Sequence, residues 1–130
     1  MDKGAIAVEN FNSGLNCCQA VVLAFIDELN LSEDVLRRMS IGFGGGLGRQ
    51  RLTCGAVSGM CMVISMLKSD GVDKLAIYEV IKSACKEFKE KAGSIICSEL
   101  LKMQKSGDVN KLSCAEMCRL GAQIAQKYIK

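Results

Sequence analysis

Histidine, proline and tryptophan are all absent from these 130 residues. Each absence excludes something. Without histidine the chain cannot build a Cys–His nucleophile pair or a mixed Cys/His zinc site from its own residues. Without proline no ring interrupts a helical backbone, and the Val/Ile runs do not alternate with polar residues, so helices are favoured over strands. Only four Phe and two Tyr are present. The core must therefore be built from Leu, Ile, Val, Met, Ala and Cys, and no aromatic residues interleave with basic ones as a platform for nucleobases would require. Long apolar runs are missing too. The longest, Ala20–Ile26 and Met60–Ile64, fall far short of the ~20 residues of a membrane span. Met1-Asp2-Lys3-Gly4 leads into mixed polar sequence with no apolar signal core. The expectation is a cytoplasmic chain with no membrane insertion, in a compartment that keeps thiols reduced.

What is present is enough for one domain spanning residues 1–130. The net charge of +3 is spread along the chain. Its densest cluster, Lys82, Lys86, Lys89 and Lys91, is interleaved with Glu87 and Glu90, which reads as a solvated helix face and gives no nucleic-acid partner. Periodicity and caps predict helices over about Lys3–Asn12, from Asn16 to about Leu29, Ser32–Met39, Cys54–Lys68, Asp73–Ala92, Ile96–Gln104, and from Ser113 onward. Asn16 with Gln19, and Ser113 with Glu116, have capping-box spacing. The second helix and that over Cys54–Lys68 are apolar nearly all round, as buried helices are. Gly55 and Gly59, four apart, permit close helix contact. The fold class is all-α: a compact bundle of about five to seven helices with two buried central helices. Its apolar stripes leave room for a homodimer without requiring one.

The eight cysteines separate by position. Cys17 follows the cap Asn16, Cys54 the cap Thr53 and Cys114 the cap Ser113, so each is the first residue of a predicted helix; Cys97 lies near the start of another, after Gly93-Ser94, where Gly93 stops the preceding helix. Helix starts offer free N–H groups and the positive end of the dipole, which favour thiolates. Cys61, Cys85 and Cys118 sit inside helical stripes, where cysteine behaves as a small hydrophobe. Cys18, beside Cys17, could substitute for it. No Cys-x-x-Cys occurs, so any site must be assembled from distant helices. Gly42-Phe43-Gly44-Gly45-Gly46-Leu47-Gly48 lacks the Lys-Ser/Thr ending of a phosphate loop. It reads either as backbone passing close to the thiols or as a plain connector. Arg49 and Arg51, just before Cys54, either add positive charge there or are solvated. The methionines, Met60, Met62, Met66 and Met117 among them, read as core filler, because haem would need a partner ligand or attachment motif that is missing.

Asn16-Cys17-Cys18-Gln19, Phe43-Gly44-Gly45-Gly46-Leu47-Gly48, Thr53-Cys54-Gly55-Ala56-Val57-Ser58-Gly59, Gly93-Ser94-Ile95-Ile96-Cys97 and Cys114 before Gly121-Ala122 together resemble the redox-active family called C_GCAxxG_C_C. The resemblance spans about Ala5–Ile129. It implies four characteristic cysteines, carried over to Cys17, Cys54, Cys97 and Cys114. Cys118 falls where the family pattern has an apolar residue, and Cys18 where it usually has a small one. The family is also similar to a domain beside haem domains in split-Soret cytochromes, which implies an iron–sulfur or electron-transfer role.

Three functional readings follow, in order of preference. In the first, Cys17, Cys54, Cys97 and Cys114 bind a metal centre, iron–sulfur before zinc, and pass electrons to a redox partner protein. A preparation oxidised in air would be expected to lose such a cluster. In the second, the same cysteines form a metal-free thiol–disulfide site. In the third, the chain is a non-catalytic interaction module with structural zinc or core cysteines.

Overall fold

The computed structural model describes residues 2–107 and 111–130. Among them are eight helices and no strand: α1 (Lys3–Asn12), α2 (Cys17–Leu23), α3 (Ile26–Leu29), α4 (Glu33–Ser40), α5 (Gly55–Lys68), α6 (Lys74–Ala92), α7 (Cys97–Lys105) and α8 (Cys114–Tyr128). A 3-10 turn over Ile41–Phe43 follows α4. The all-α expectation holds.

Side-chain caps fix half of the helix starts. Asp2 accepts from the Gly4 N–H at the head of α1. The Asn16 and Gln19 side chains close a reciprocal capping box at α2, and the Ser113 hydroxyl accepts from the Glu116 N–H at α8. Each satisfies donors that would otherwise be orphaned. The stretch expected as one helix to Leu29 is two. The N–H groups of Ala24 and Phe25 bond three residues back, to the carbonyls of Val21 and Val22. This tightens the backbone to a 3-10 turn and re-aims α3, and it brings the bundle to eight helices.

The two buried central helices are α2 and α5. Every residue of α2 after Cys17 is buried, and α5 buries Ala56, Val57, Met60, Val63 and Ile64. The helices touch closely because Gly59 lies against α2: a Cβ there would sit 3.0 Å from the Cys18 carbonyl. α8 packs on α1, α2, α5 and α6, while α4 covers α2. Phe25, Phe88, Leu36 and Ile124 are fully buried within one contiguous core, each contributing about 1.5–3 kcal/mol of transfer free energy. No helix among the described residues is long and apolar enough to cross a membrane.

Candidate four-cysteine redox site

The segment between α4 and α5 shapes the site. Gly45, Gly46, Leu47, Gly48, Arg49 and Arg51 all have positive φ, between 63° and 73°, so the backbone winds left-handed. Three of these six are not glycine. Residues held this way cost free energy and persist only where the surroundings over-determine them. Gly46 shows what they are held against. A Cβ there would lie 2.7 Å from both the Cys97 Cβ and the Leu52 nitrogen. At the head of α5, a Cβ on Gly55 would lie 3.1 Å from the Cys17 Cβ. Of the two readings of the glycine loop, close backbone approach to the thiols is the one realised.

A short antiparallel clamp joins two of the helix starts. Thr53 bridges Ile96, the Cys54 N–H donates to the Ile95 carbonyl at 2.8 Å, and the Cys97 N–H donates to the Leu52 carbonyl at 2.6 Å. Ser94, buried, holds the entry to α7: its hydroxyl donates to Glu99 and accepts from the Ile96 N–H. Residues 43 apart in sequence, Cys54 and Cys97, are thereby pinned side by side. Thr53 was expected to cap α5. It is instead spent in the bridge, and Cys54 itself occupies the cap position. Cys17, Cys97 and Cys114 are the first residues of α2, α7 and α8.

All four line one largely apolar cavity of about 50 Å³, together with Gly45, Gly46, Arg51, Leu100 and Met117. Cys54 and Cys97 are only 4% and 9% exposed. The Cys17 and Cys114 thiols are close enough to shift each other's ionisation. Arg51 Nη1 lies 3.7 Å from Cys97 Sγ, and Gln104 Nε2 lies 3.8 Å from Cys114 Sγ. All eight thiols are free. Cys18 does not line the cavity; its sulfur is fully buried, 3.9 Å from Met62 Sδ.

The electrostatics differ from expectation. Helix starts were expected to lower the thiol pKa values, yet three of the four are raised. Burial pushes Cys54 up to about 11, although the N–H groups of Ala56 and Val57 pull the other way. At Cys17 a hydrogen bond from Cys114 favours the thiolate, but Cys118, burial and neighbouring thiols together prevail and raise the pKa. Cys114 is raised by its bond to Cys17 and by burial, against Gln104 and Arg51. The cause is physical: a dry cavity disfavours any thiolate, and several thiols packed together disfavour a second one. The helix-start donors are also partly spent, since the Cys97 and Ser98 N–H groups bond to the carbonyls of Leu52 and Arg51.

The donor set is four soft thiols with no oxygen or imidazole ligand, which matches iron–sulfur chemistry. For one tetrahedral ion at metal–sulfur distances of ~2.3 Å, the sulfurs would have to sit within ~3.8 Å of one another. Among the described residues no group of three or more His, Cys, Asp or Glu is placed to hold an ion in that way.

Sequence reasoning set aside two contacts. Cys118 was read as filler, yet its S–H points 3.8 Å from the Cys17 carbonyl and its side chain touches that of Cys17. The signal was available, because Cys118 follows Cys114 by four residues on one helix face. Cys61 and Cys85, also read as filler, face each other between α5 and α6.

A family model described as "Putative redox-active protein (C_GCAxxG_C_C)" matches residues 15–128. No curated protein and no solved structure is found similar to the chain.

Proposed function

The chain belongs to the C_GCAxxG_C_C family of redox-active proteins, and from that premise we propose that Cys17, Cys54, Cys97 and Cys114 form its redox centre, as ligands of an iron–sulfur cluster that exchanges electrons with a partner protein. One observation carries the reading: four helix starts, distant in sequence, deliver four thiols to a single cavity. A bound cluster supplies one-electron chemistry at a potential set by its surroundings. The remaining work belongs to this chain. The four thiols give up their protons on ligation, so loading is favoured as pH rises. Arg51 balances negative charge at Cys97, and Leu100 and Met117 keep water from the sulfurs. Zinc is the weaker metal, because among the described residues no trio of donors sits at single-ion spacing. The reading sets the protein in the cytoplasm, where unloaded thiols stay reduced.

The placement of Cys17 and Cys114 in one cavity, where each shifts the other's ionisation, favours a second reading. Without metal, those two thiols form a dithiol couple: oxidation joins the sulfurs and releases two electrons and two protons. The visible spectrum of protein purified without oxygen from iron-replete cells separates the two. The cluster reading expects a brown protein that bleaches on reduction, with the colour lost in Cys54→Ser and Cys97→Ser. Colourless, iron-free protein overturns it. Reversible loss of two thiols, mapped to Cys17 and Cys114, would then support the couple.

A further inference from the structure

Cys61 and Cys85 lie outside the cavity and have no part in the function proposed above. Cys61 sits within α5 and Cys85 within α6, and their sulfurs are 3.7 Å apart. Both residues are half-buried, so neither is sealed in the core. Beside Cys61 the two helices leave an open apolar groove of about 570 Å³, lined by Met62, Ile77, Tyr78 and Ile81 with Lys82 at its rim. Tyr78 is 53% exposed there, an aromatic ring the core does not use.

We propose that Cys61 and Cys85 form a second, separate dithiol site that reduces small disulfides, with the groove seating an apolar or aromatic flank of the substrate. A contact of 3.7 Å lets one thiol donate to the other, and the acceptor is then poised as the thiolate. With Cys61 as the donor of that contact, its bond holds the Cys85 thiol below its ordinary value against the effect of burial, while Cys61 is raised. A thiolate near neutral pKa is the effective attacking species in exchange. The Cys85 sulfur attacks one sulfur of R–S–S–R; a mixed disulfide forms, and R–S⁻ leaves and takes a proton. Cys61 then loses its proton and attacks the Cys85 sulfur, closing from 3.7 Å to a bond of ~2.05 Å and releasing the second R–SH. The protein dithiol is oxidised and the small disulfide is reduced to two thiols.

The test treats the full-length, anaerobically reduced protein with one equivalent of an aromatic disulfide, 5,5′-dithiobis(2-nitrobenzoate), or of glutathione disulfide, and maps the products by non-reducing peptide mass spectrometry. The wild type should release two nitrothiolates per reagent and show a Cys61–Cys85 link. Cys61→Ser should stop at one, with the adduct held on Cys85. Cys85→Ser should slow modification of Cys61 at least tenfold. Tyr78→Ala should slow the aromatic reagent several-fold and leave glutathione disulfide unchanged. Oxidation confined to the other six cysteines, or an unchanged second release in Cys61→Ser, overturns the site. An aromatic-reagent rate unchanged from wild type in Tyr78→Ala, or both reagents slowed by the same factor, overturns the role of the groove.

Discussion

Two regions of this protein bring cysteines together, and they do it by different means. The four-cysteine cavity gathers residues from four helix starts spread from position 17 to position 114, using left-handed backbone, missing Cβ atoms and a single antiparallel bridge. The Cys61–Cys85 pair needs none of that. Two consecutive helices of a hairpin pack, and a pair of half-buried interior thiols touch. The cavity is specified by strain and close approach, the pair by ordinary helix packing. The first should fail abruptly when its backbone is disturbed, and the second should not notice.

Gly46→Ala gives the largest expected difference. It places a methyl on the Cys97 Cβ and on the Leu52 nitrogen at φ +73°, and should cost about 3 kcal/mol in denaturant unfolding with loss of the iron that the proposed centre would carry. Gly71→Ala is the control, with similar φ and open space, and should cost about 1 kcal/mol. In both variants the Cys61–Cys85 exchange should persist at the wild-type rate.

A pH series separates the regions next. A thiol whose folded pKa lies above its ordinary value contributes full stability below that value and loses it as pH rises toward the folded pKa. Cys54, raised from 9.0 to about 11, should therefore destabilise the reduced, metal-free protein by about 1.4 kcal/mol per pH unit between those limits. Cys18, pushed up to about 12 mainly by burial, adds a similar slope. Thermal unfolding between pH 8 and pH 11 reads this; a flat profile contradicts it. Over the same buffers, alkylation of Cys85 should rise through about pH 7, while Cys54 should stay slow until near pH 11. Matched profiles would erase the distinction.

Arg51→Gln is the smallest perturbation. Stability should change by less than about 0.5 kcal/mol, since the side chain is at the surface. The charge beside Cys97 and Cys114 disappears, so Cys114 alkylation should slow about two- to three-fold while Cys85 is unaffected.

Much of the architecture was legible in the sequence. The Asn16 and Ser113 caps, the Gly93 stop and the all-round apolar helices are local signals, and the structure realises them. The break at Ala24–Phe25 was not, because nothing in Cys17–Leu29 disfavours helix and tertiary packing alone imposes the turn. The role of Thr53 was misread because a long-range bridge to Ile96 took the residue that a local rule made a cap. The same limit governs the cysteines. Helix starts identify which thiols are presented, but their ionisation depends on burial and on one another, and spacing along the chain carries neither. Cys61 and Cys85 were hidden for a related reason: a pair contact between two amphipathic stripes has no signature in either stripe.

Iron and acid-labile sulfide, quantified in anaerobically purified wild type, Cys54→Ser and Cys61→Ser, bear most directly on the centre proposed here. Wild type and Cys61→Ser should carry equal amounts of both, and Cys54→Ser at least tenfold less. Wild type without iron, or iron kept by Cys54→Ser and lost from Cys61→Ser, would contradict the assignment of the redox centre to the four-cysteine cavity.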